Sequence, residues 1–406
     1  MGARRVAVTG VGAVSALGLD VGEMWASLAA GRSGIGPIES VECGSLRFSN
    51  GAEVRGFDPA AHFERKHADL MDRFSQFAVV AAREAVAAAG VEWTPELRET
   101  TAVVAGSGVG GQLSEERAFV DSYVSDRART HPLSIPRAMM NAATSQVTMD
   151  LGVHGPAFTV STACSSSNHA IGHAFWMVRH GAAEMAVAGG AEAPFALAHL
   201  KSWDALRAVS PDTCRPFSAD RKGMVLGEGA AMLVLEPLDA ARARGATVLA
   251  ELVGFGMSAD ASHVTAPQAE GAARAIRAAL RDAELAPDRV QYVNAHGTGT
   301  AVNDPMETAA IRAVFGAHAE RLAVSATKSM TGHPLGAAGA LEAVATVLAL
   351  AHGILPPTAN FTTADPECDL DVIPNEARRV EVEHAISNSF AFGGLNAVLA
   401  FRRWDG

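Results

Sequence analysis

One cysteine and two histidines of the chain have the types and settings that acyl-transfer chemistry needs. Cys164 follows a strand-like segment and a polar turn and precedes a helix-forming stretch. His296 and His333 each lie in a segment that contains glycine and threonine, and neither is paired with another ligand at metal spacing. A thiolate can attack a thioester, while neutral imidazoles donate hydrogen bonds to the negative charge that develops. The set therefore predicts transfer of an acyl group.

The position of Cys164 predicts a reactive thiol. The helical pattern 166–180 ends before Gly181, so the cysteine lies at a helix N-terminus. The positive end of the helix dipole and the free N–H groups favour thiolate, and we expect a pKa below the ordinary value of about 8.5. An arbitrary cysteine is more often a small buried hydrophobe. That interpretation is kept for Cys43, Cys214 and Cys368.

Other catalytic classes lack their signatures. Residues 106–111 fit G-x-G-x-x-G after a predicted strand, but the acidic residue expected about twenty residues later, at the end of a second strand, is missing. The sequence contains neither the G-x-S-x-G motif of serine hydrolases nor the H-E-x-x-H motif of zinc enzymes. The cysteines form no C-x-x-C pair. We therefore expect no metal and no bound cofactor.

The composition favours a large globular enzyme. The 406 residues are 49% hydrophobic and 19% charged, with a formal net charge of −11. This charge disfavours nucleic acid and anionic membranes as the main partners. The N-terminus runs directly into a short strand-like segment broken by glycine, and the longest apolar stretch, 336–355, contains Glu342 and His352. Neither resembles a signal peptide or a membrane span, so we expect a cytoplasmic protein.

Short strand-like segments alternate with alanine-rich segments, which predicts an α/β fold. The predicted strands are 5–9, 101–105, 185–188, 230–235, 250–254, 290–294, 322–325, 385–387 and 397–401. The predicted helices, which have apolar residues at helical spacing, are 73–89, 166–180, 271–282, 305–315 and 338–352.

The chain also resembles itself. Three segments of the first half are similar in sequence to segments of the second: 81–106 to 274–297, 162–164 to 331–333, and 186–190 to 387–394. Because the order of the echoes is the same in both copies, we infer a duplicated unit with halves 1–247 and 248–406. Cys164 and His333 then lie at equivalent helix starts related by a pseudo-two-fold axis. Chance similarity between strings rich in alanine and glycine is the alternative.

Four motifs resemble those of the elongating β-ketoacyl-acyl-carrier-protein synthases, in order and in spacing. They are 161–166, 294–300, 325–333 and 388–394. The resemblance covers essentially the whole chain. It implies the thiolase fold, a duplicated βαβαβαββ unit in five layers, α-β-α-β-α. It also implies decarboxylative condensation of malonyl-carrier protein with a cysteine-bound acyl chain, in fatty-acid or type II polyketide synthesis.

The resemblance further implies a role for each matching residue. Cys164 would accept the acyl chain, and His296 and His333 would assist decarboxylation. The N–H groups of Cys164 and Phe392 would form an oxyanion hole, and the Phe392 ring would gate the site. The remaining matches are Lys328 paired with Glu342, which organise the site, and Thr298 and Thr300, which bind the phosphopantetheine arm. Some members of the family hold a monovalent cation near positions that match Asn294, Glu342 and Asn388; we do not assign one here.

The chain departs from the family in the gate loop. Ala391 and Leu395 stand where the family usually has glycine and threonine, so we expect altered gating or malonyl selection. Val109 and Trp203 match acyl-pocket positions, and the size of Val109 would set the chain length; plain core packing is the alternative for both. Two segments, 201–217 and 303–310, are closer to nodulation-type and type II polyketide ketosynthases than to housekeeping enzymes.

The resemblance implies two partners, an acyl carrier protein and a second subunit. Carrier proteins are acidic, so docking on this acidic chain needs a local cationic patch. Arg65, Lys66 and Arg207 match family positions near the entrance, although solvated surface charges are the alternative. The family dimerises through the sheet of its first half. The second subunit is either identical or a chain-length-factor-like partner.

Two other functions are weighed against this one. A thiolase needs a second catalytic cysteine near the C-terminus in a C-x-G setting, which Cys368 does not supply. A non-catalytic subunit that controls chain length would not need Cys164. The acyl chain length, the starter unit and the pathway do not follow from the sequence.

Overall fold

The computed structural model describes residues 3–125, 127 and 129–406, and within this part of the chain ten strands form one mixed sheet. In chain order the strands are β1 (Val6–Ser15), β2 (Thr101–Gly106), β3 (Ala157–Val160), β4 (Met185–Glu192), β5 (Gly229–Pro237), β6 (Ala250–Ala259), β7 (Tyr292–Asn294), β8 (Ala323–Ser325), β9 (His384–Ala391) and β10 (Leu395–Arg403).

The sheet consists of two halves with the same topology. The first half has the order β3-β2-β4-β5-β1 and the second has β8-β7-β9-β10-β6. In both halves the first three strands of this order are parallel and the remaining neighbours are antiparallel. The halves meet where β1 pairs antiparallel with β6, Val6 opposite Leu252 and Val8 opposite Ala250. The predicted duplicated unit is therefore confirmed. The predicted boundary at 247/248 lies in the connection between β5 and β6 and stays a prediction.

Helices cover both faces of each half. In the described part of the chain they are α1 (Val21–Ala29), α2 (Arg65–Ala68), α3 (Arg73–Ala88), α4 (Pro95–Thr100), α5 (Gln112–Tyr123), α6 (Ser134–Ala138), α7 (Ala142–Leu151), α8 (Ser166–Arg179), α9 (Leu197–Leu206), α10 (Leu238–Ala243), α11 (Ala269–Asp282), α12 (Asn303–Phe315), α13 (Lys328–Thr331) and α14 (Ala338–His352). The helices α8 and α14 contact strands of both halves and form the middle layer. The pair α3 and α7 covers the first half and α11 and α12 the second, which gives the five layers α-β-α-β-α.

Small residues allow the middle layer to pack closely. A Cβ atom on Gly172 of α8 would lie 2.4 Å from the ring of Phe255, and one on Gly339 of α14 would lie 2.4 Å from the side-chain oxygen of Asn168. Leu335–His352 is the one described segment with the length and composition of a membrane span, with a mean hydropathy of 1.6. It is 89% buried inside the protein, because α14 lies between the two halves of the sheet.

The predicted strands and helices are all present, and their bounds differ most at β1. This strand continues through Gly10 and Gly12, which the sequence analysis interpreted as a break. A Cβ atom at either position would lie about 2 Å from a backbone oxygen of α3, so these glycines permit the helix to pack against the strand. The strand-like segment before Cys164 is β3, and the helices α1, α7 and α9 were not among the predicted ones.

Candidate active site

Cys164 lies in a tight turn between β3 and α8. The preceding residue, Ala163, has a left-handed backbone with φ 50°, a conformation that costs a residue with a Cβ atom about 1–2 kcal/mol. The Ser165 hydroxyl donates to the backbone oxygen of Leu395 at 2.9 Å, which ties the turn to the start of β10. Cys164 is buried, with 7% of its surface exposed. The turn therefore holds the thiol in a fixed, largely water-free position.

The expected low pKa of Cys164 is wrong for this structure. Burial raises the pKa of the thiol to about 11. The positive charge of Lys328 and hydrogen bonds from the backbone N–H groups of Phe392 and Cys164 act in the opposite direction but do not outweigh it. Desolvation disfavours the charged form more than the helix N-terminus favours it. At neutral pH the resting group is therefore a thiol.

His333 lies directly against this thiol. Its Nε2 atom is 3.1 Å from Cys164 Sγ. The preceding Gly332 has φ 64°, matching the left-handed Ala163 before the cysteine. We call 162–164 the first entrance and 331–333 the second entrance, because each leads into one of the two central helices. His333 Nδ1 has no hydrogen-bond partner among the described residues, so no partner fixes which ring nitrogen carries the proton.

His296 is held by a buried lysine. The Nζ atom of Lys328 donates to Nδ1 of His296 at 3.2 Å, to its backbone oxygen at 2.7 Å, and to Oε1 of Glu342. An ammonium has three N–H bonds and no lone pair, so all three are used. Because Nδ1 of His296 accepts, its proton is on Nε2. Lys328 thus fixes one tautomer and has no hydrogen left for proton transfer to substrate.

Both imidazoles are neutral at physiological pH. Burial, with a contribution from the Lys328 charge, lowers the pKa of His296 and of His333 well below the ordinary value. The ring centroids are 5.5 Å apart and the planes are nearly perpendicular, at 87°. Two neutral imidazoles beside one thiol can accept or donate hydrogen bonds without introducing a charge.

Two carboxylates that the sequence analysis did not assign to the site hold the loop that carries His296. Glu307 of α12 accepts hydrogen bonds from the backbone N–H groups of His296 and Gly297, each at 2.8 Å. One turn earlier on the helix, Asp304 accepts from Gly299 at 3.1 Å. Burial raises the pKa of Asp304 to about 6. The sequence feature that could have identified these two carboxylates is a pair of acidic residues three positions apart on a predicted helix, soon after a glycine-rich loop.

A third buried carboxylate explains the glycine-rich loop 106–111. Glu192, at the end of β4, accepts from the N–H groups of Gly108 at 2.6 Å and Val109 at 3.2 Å. It also accepts from the Ser107 hydroxyl at 2.8 Å and from the N–H of Gly336 at 2.9 Å. The N–H groups that would hold a phosphate in a dinucleotide fold are thus bonded to the chain's own carboxylate. Glu192 also joins the two halves beneath the site.

A narrow cavity, open to solvent, leads to the thiol. Its lining residues are Cys164, Trp203, Ala208, Met224, His263, Val264, Thr265, Pro267, His296, Thr298, Thr300, Val302, Asn303, His333, Phe390, Ala391, Phe392 and Gly394. The hydroxyls of Thr298 and Thr300 are 3.0 Å apart on one wall. Phe392 is 38% exposed and stacks on Trp203 at the mouth, with ring centroids 6.1 Å apart.

The remaining predicted site residues lie further out. Val109 does not line this cavity; it packs against an apolar cluster that includes Phe48, Met224 and Leu335, and Trp203 packs against the same cluster. Arg207 is exposed at the end of α9 and borders a groove beside Trp203. Arg65 and Lys66 are exposed on α2, which contributes no described residue to the cavity lining.

The gate-loop departures are compatible with this conformation. Ala391 ends β9 outside the left-handed region, whereas Gly393 and Gly394, with φ 83° and 69°, make the turn. The Ala391 methyl group therefore causes no backbone strain here. Leu395 takes part through its backbone oxygen, which a residue of any type supplies.

Three buried oxygens next to the lysine fit a monovalent cation. Asn294 Oδ1, Glu342 Oε2 and Asn388 Oδ1 have no hydrogen-bond partner within the part of the chain that the structure describes. Amide and carboxylate oxygens are the donors that hard cations prefer. These residues therefore fit the cation that some members of the resembled family hold.

The chain matches families of known proteins over most of its length. The β-ketoacyl synthase N-terminal domain family matches residues 3–241, and its C-terminal domain family matches 249–362. Nodulation protein E of Rhizobium sp. (strain N33) is 48% identical over 400 residues, covering 98% of this chain and 99% of that protein. The 3-oxoacyl-[acyl-carrier-protein] synthase 2 of Coxiella burnetii (strain RSA 493 / Nine Mile phase I) is 44% identical over 408 residues, with coverage of 98% and 99%.

The fold is also similar to a solved structure. The ishigamide ketosynthase/chain length factor superposes with a TM-score of 0.94 at 38% identity, covering 99% of this chain and 100% of that chain. The predicted fold class is confirmed.

Proposed function

The chain belongs to the β-ketoacyl synthase family, and we propose that its Cys164, His296 and His333 carry out the condensation of malonyl-carrier protein with an acyl chain bound to Cys164. The observation that carries this assignment is the 3.1 Å approach of His333 Nε2 to Cys164 Sγ in a cavity that His296 also lines. An acyltransferase of this family needs a nucleophile and hydrogen-bond donors converging on one carbonyl group.

In the first step the Cys164 sulfur attacks the thioester carbonyl of an acyl chain on carrier protein. The sulfur–carbon bond to Cys164 forms, the bond to the pantetheine sulfur breaks, and the thiol proton passes through His333 Nε2 to the leaving pantetheine thiolate. Because the resting thiol is protonated, the neutral imidazole acts as a general base. The N–H groups of Cys164 and Phe392 stabilise the oxyanion.

In the second step a malonyl thioester replaces the released carrier. Its carboxylate leaves as carbon dioxide, and the charge moves onto the thioester oxygen, where the Nε2–H of His296 donates a hydrogen bond. His333, whose tautomer no partner fixes, donates a second one once its single proton has moved from Nδ1 to Nε2. The carbanion attacks the carbonyl carbon of the Cys164 thioester, the carbon–sulfur bond to Cys164 breaks, and the released thiolate takes up a proton from solvent, to which the cavity is open. The product is a β-ketoacyl chain longer by two carbons, and Thr298 and Thr300 are placed to bind its pantetheine arm.

The cation site adds charge to this arrangement. Asn294, Glu342 and Asn388 would hold a monovalent cation through their unpartnered oxygens, and its positive charge would balance the Glu342 carboxylate behind Lys328. Burial raises the pKa of Glu342 to about 7, so this carboxyl group is the one that a bound cation would keep ionised.

The two alternatives find less support. Cys368, the residue a thiolase would need, is buried outside the cavity, and burial raises the pKa of its thiol to about 12. A chain-length-controlling subunit without activity would have no use for Cys164 or for the lysine that fixes the tautomer of His296.

The partner assignments extend this proposal. An acyl carrier protein would dock at the cavity mouth beside Arg207, with Arg65 and Lys66 as more distant contacts. A second subunit would pair with β3, an edge strand on which Phe158 is 40% exposed. Met149, on the helix α7 that packs against β3, is 62% exposed. Open edges with apolar side chains favour pairing. The opposite edge, β8, is covered, since Val324 donates to the backbone oxygen of Asp371.

Acyl loading tests the proposal directly. With an acyl-carrier protein as donor, intact-protein mass spectrometry should show one acyl group on the wild-type chain and on the control Cys43→Ser, and none on Cys164→Ala. Loading that persists in Cys164→Ala would overturn the assignment of the nucleophile. A wild-type chain that neither loads nor decarboxylates malonyl-carrier protein, yet supports a partner subunit, would favour the non-catalytic alternative.

A further inference from the structure

A histidine outside the catalytic set fixes the orientation of the tryptophan at the cavity mouth. Trp203 lies one turn after His199 on α9, and its Nε1–H donates to His199 Nε2 at 2.8 Å. An indole has a single donor and no acceptor, so this bond selects one orientation of the ring. The two rings are edge to face, with centroids 6.1 Å apart.

The environment of His199 keeps its acceptor available. Burial lowers the pKa of the imidazole, and the charge of Glu116 opposes this only in part. Glu116 of α5 also accepts from the first N–H groups of α9, Leu197 at 3.1 Å and Ala198 at 2.7 Å. The helix is therefore anchored at the end that carries His199. A neutral ring with Nε2 accepting has its proton on Nδ1.

The fixed indole is also the surface on which the Phe392 ring rests. The two planes differ by 25°. Such stacked pairs contribute beyond their buried area, which corresponds to a roughly 2- to 10-fold preference for the stacked position. Trp203 further separates the cavity of Cys164 from a groove lined by Arg47, Phe48 and Arg207. Movement of the indole would thus remove the surface on which Phe392 stacks and would widen the cavity.

We propose that His199 is a positioning residue that sets acyl-chain selection by holding Trp203 beneath the Phe392 ring. The inference rests on the proposed ketosynthase function. Because Trp203 and Cys164 line the same cavity, a chain that enters it passes the indole, and we infer that a long chain meets more of this wall than a short one. The His199–Trp203 hydrogen bond therefore discriminates against long chains, and its effect is on selection between substrates rather than on the chemistry at Cys164.

The test measures kcat and KM for loading of Cys164 from hexanoyl- and tetradecanoyl-carrier protein and compares the two kcat/KM values. His199→Phe, which removes the acceptor but keeps a ring, should raise the long-to-short ratio about 3- to 10-fold, mainly through KM for the long donor. His199→Gln, which retains an acceptor, should restore the ratio to within about 2-fold of wild type. Ser202→Ala, on the exposed face of the same helix, is the matched control.

A double-mutant cycle distinguishes positioning from a general loosening of the helix. Trp203→Phe should raise the ratio like His199→Phe, and the double variant should equal Trp203→Phe alone, since His199 acts through the indole. An unchanged ratio in His199→Phe, full additivity in the double variant, or a His199→Gln variant as altered as His199→Phe would overturn the proposal. If His199→Phe does not fold, Trp203→Phe and His199→Gln decide by the same criteria. Absence of loading in the wild type would instead contradict the proposed function.

Discussion

The two entrances to the central helices share a positive φ at the residue before the functional side chain and differ in chemistry. In the first, Ala163 with φ 50° precedes Cys164; in the second, Gly332 with φ 64° precedes His333. Each lies after the third strand of its half, and the two functional side chains meet at 3.1 Å. Each half of the duplicated architecture thus has a turn before its central helix, and packing of the two halves brings the two turns together. A single side-chain difference at equivalent positions makes a nucleophile and its base.

The entrances also differ in what supports them. The second is preceded by the short helix α13, whose first residue, Lys328, holds His296 and Glu342. No lysine precedes the first entrance, where the Ser166 hydroxyl accepts from the Thr162 N–H and the Ser165 hydroxyl donates to the backbone oxygen of Leu395. Burial favours the neutral form of both groups, because it raises the pKa of the thiol and lowers that of the imidazole. The resting site is therefore neutral at both entrances.

Removing the base from the second entrance should have the largest effect. His333→Ala should reduce condensation about 10²- to 10⁴-fold, because the general base and one hydrogen-bond donor are both lost. His296→Ala should reduce malonyl decarboxylation by a similar factor while retaining acyl loading. Formation of the β-keto product, followed by mass spectrometry, is the measurement. The control is His180→Ala, an exposed residue at the far end of α8. Wild-type condensation by His333→Ala would show that the meeting of the two entrances has no catalytic consequence.

The lysine of the second entrance should matter for stability. Lys328→Met leaves the buried Glu342 carboxyl without its partner. We expect the free energy of unfolding, measured in urea at neutral pH, to fall by about 3–5 kcal/mol. Adding Glu342→Gln to this variant should recover part of the loss, since the unpaired charge is then removed. A Lys328→Met variant within about 0.5 kcal/mol of wild type would contradict this account of the ion pair.

Exchange of the residues before Cys164 and His333 tests the backbone comparison. Gly332→Ala should destabilise by about 1–3 kcal/mol, because φ is left-handed and the new Cβ atom would lie 2.8 Å from that of Ala52. Ala163→Gly should change the free energy of unfolding by less than about 1 kcal/mol, because relief of strain is offset by the greater freedom of the unfolded chain. Urea unfolding of both variants is the measurement, and equal effects would show that the two turns are not strained in the way described.

The stability of the protein should also depend on pH, gradually rather than in a single step. Because the pKa values of His296 and His333 are lower in the folded protein than in the unfolded chain, the unfolded state takes up protons first as the pH falls below about 6.5. Stability should therefore decrease on acidification, by up to about 1.4 kcal/mol per pH unit for each ring. Urea unfolding of wild type and His333→Gln at several pH values should show a shallower slope in the variant. Parallel slopes would mean that His333 titrates normally in the fold.

Much of the fold could be predicted from the sequence, because strand and helix periodicity and the internal echoes are local properties. The bounds of β3 were not predicted, because the strand is short and half exposed, and β1 was cut short because Gly10 and Gly12 were interpreted as breaks. The two glycines allow α3 to pack closely against the strand, and this role depends on a contact between distant segments. Glu192, Asp304 and Glu307 were missed as supports of the site for the same reason: a carboxylate that binds backbone N–H groups of another segment has no motif of its own.

The sequence by itself determined the types of the reacting groups, the order of the four motifs and the duplicated architecture, since these depend on residue identity and spacing. Only the tertiary structure decided the protonation states. The helix N-terminus that follows Cys164 predicted a thiolate, but burial between two layers, which no local pattern reveals, outweighs the dipole and keeps a thiol. The tertiary structure also decided that the glycine-rich loop holds a carboxylate and that His199 fixes Trp203 beneath Phe392. These outcomes depend on desolvation and on contacts between distant segments, which exist only once the two halves have packed.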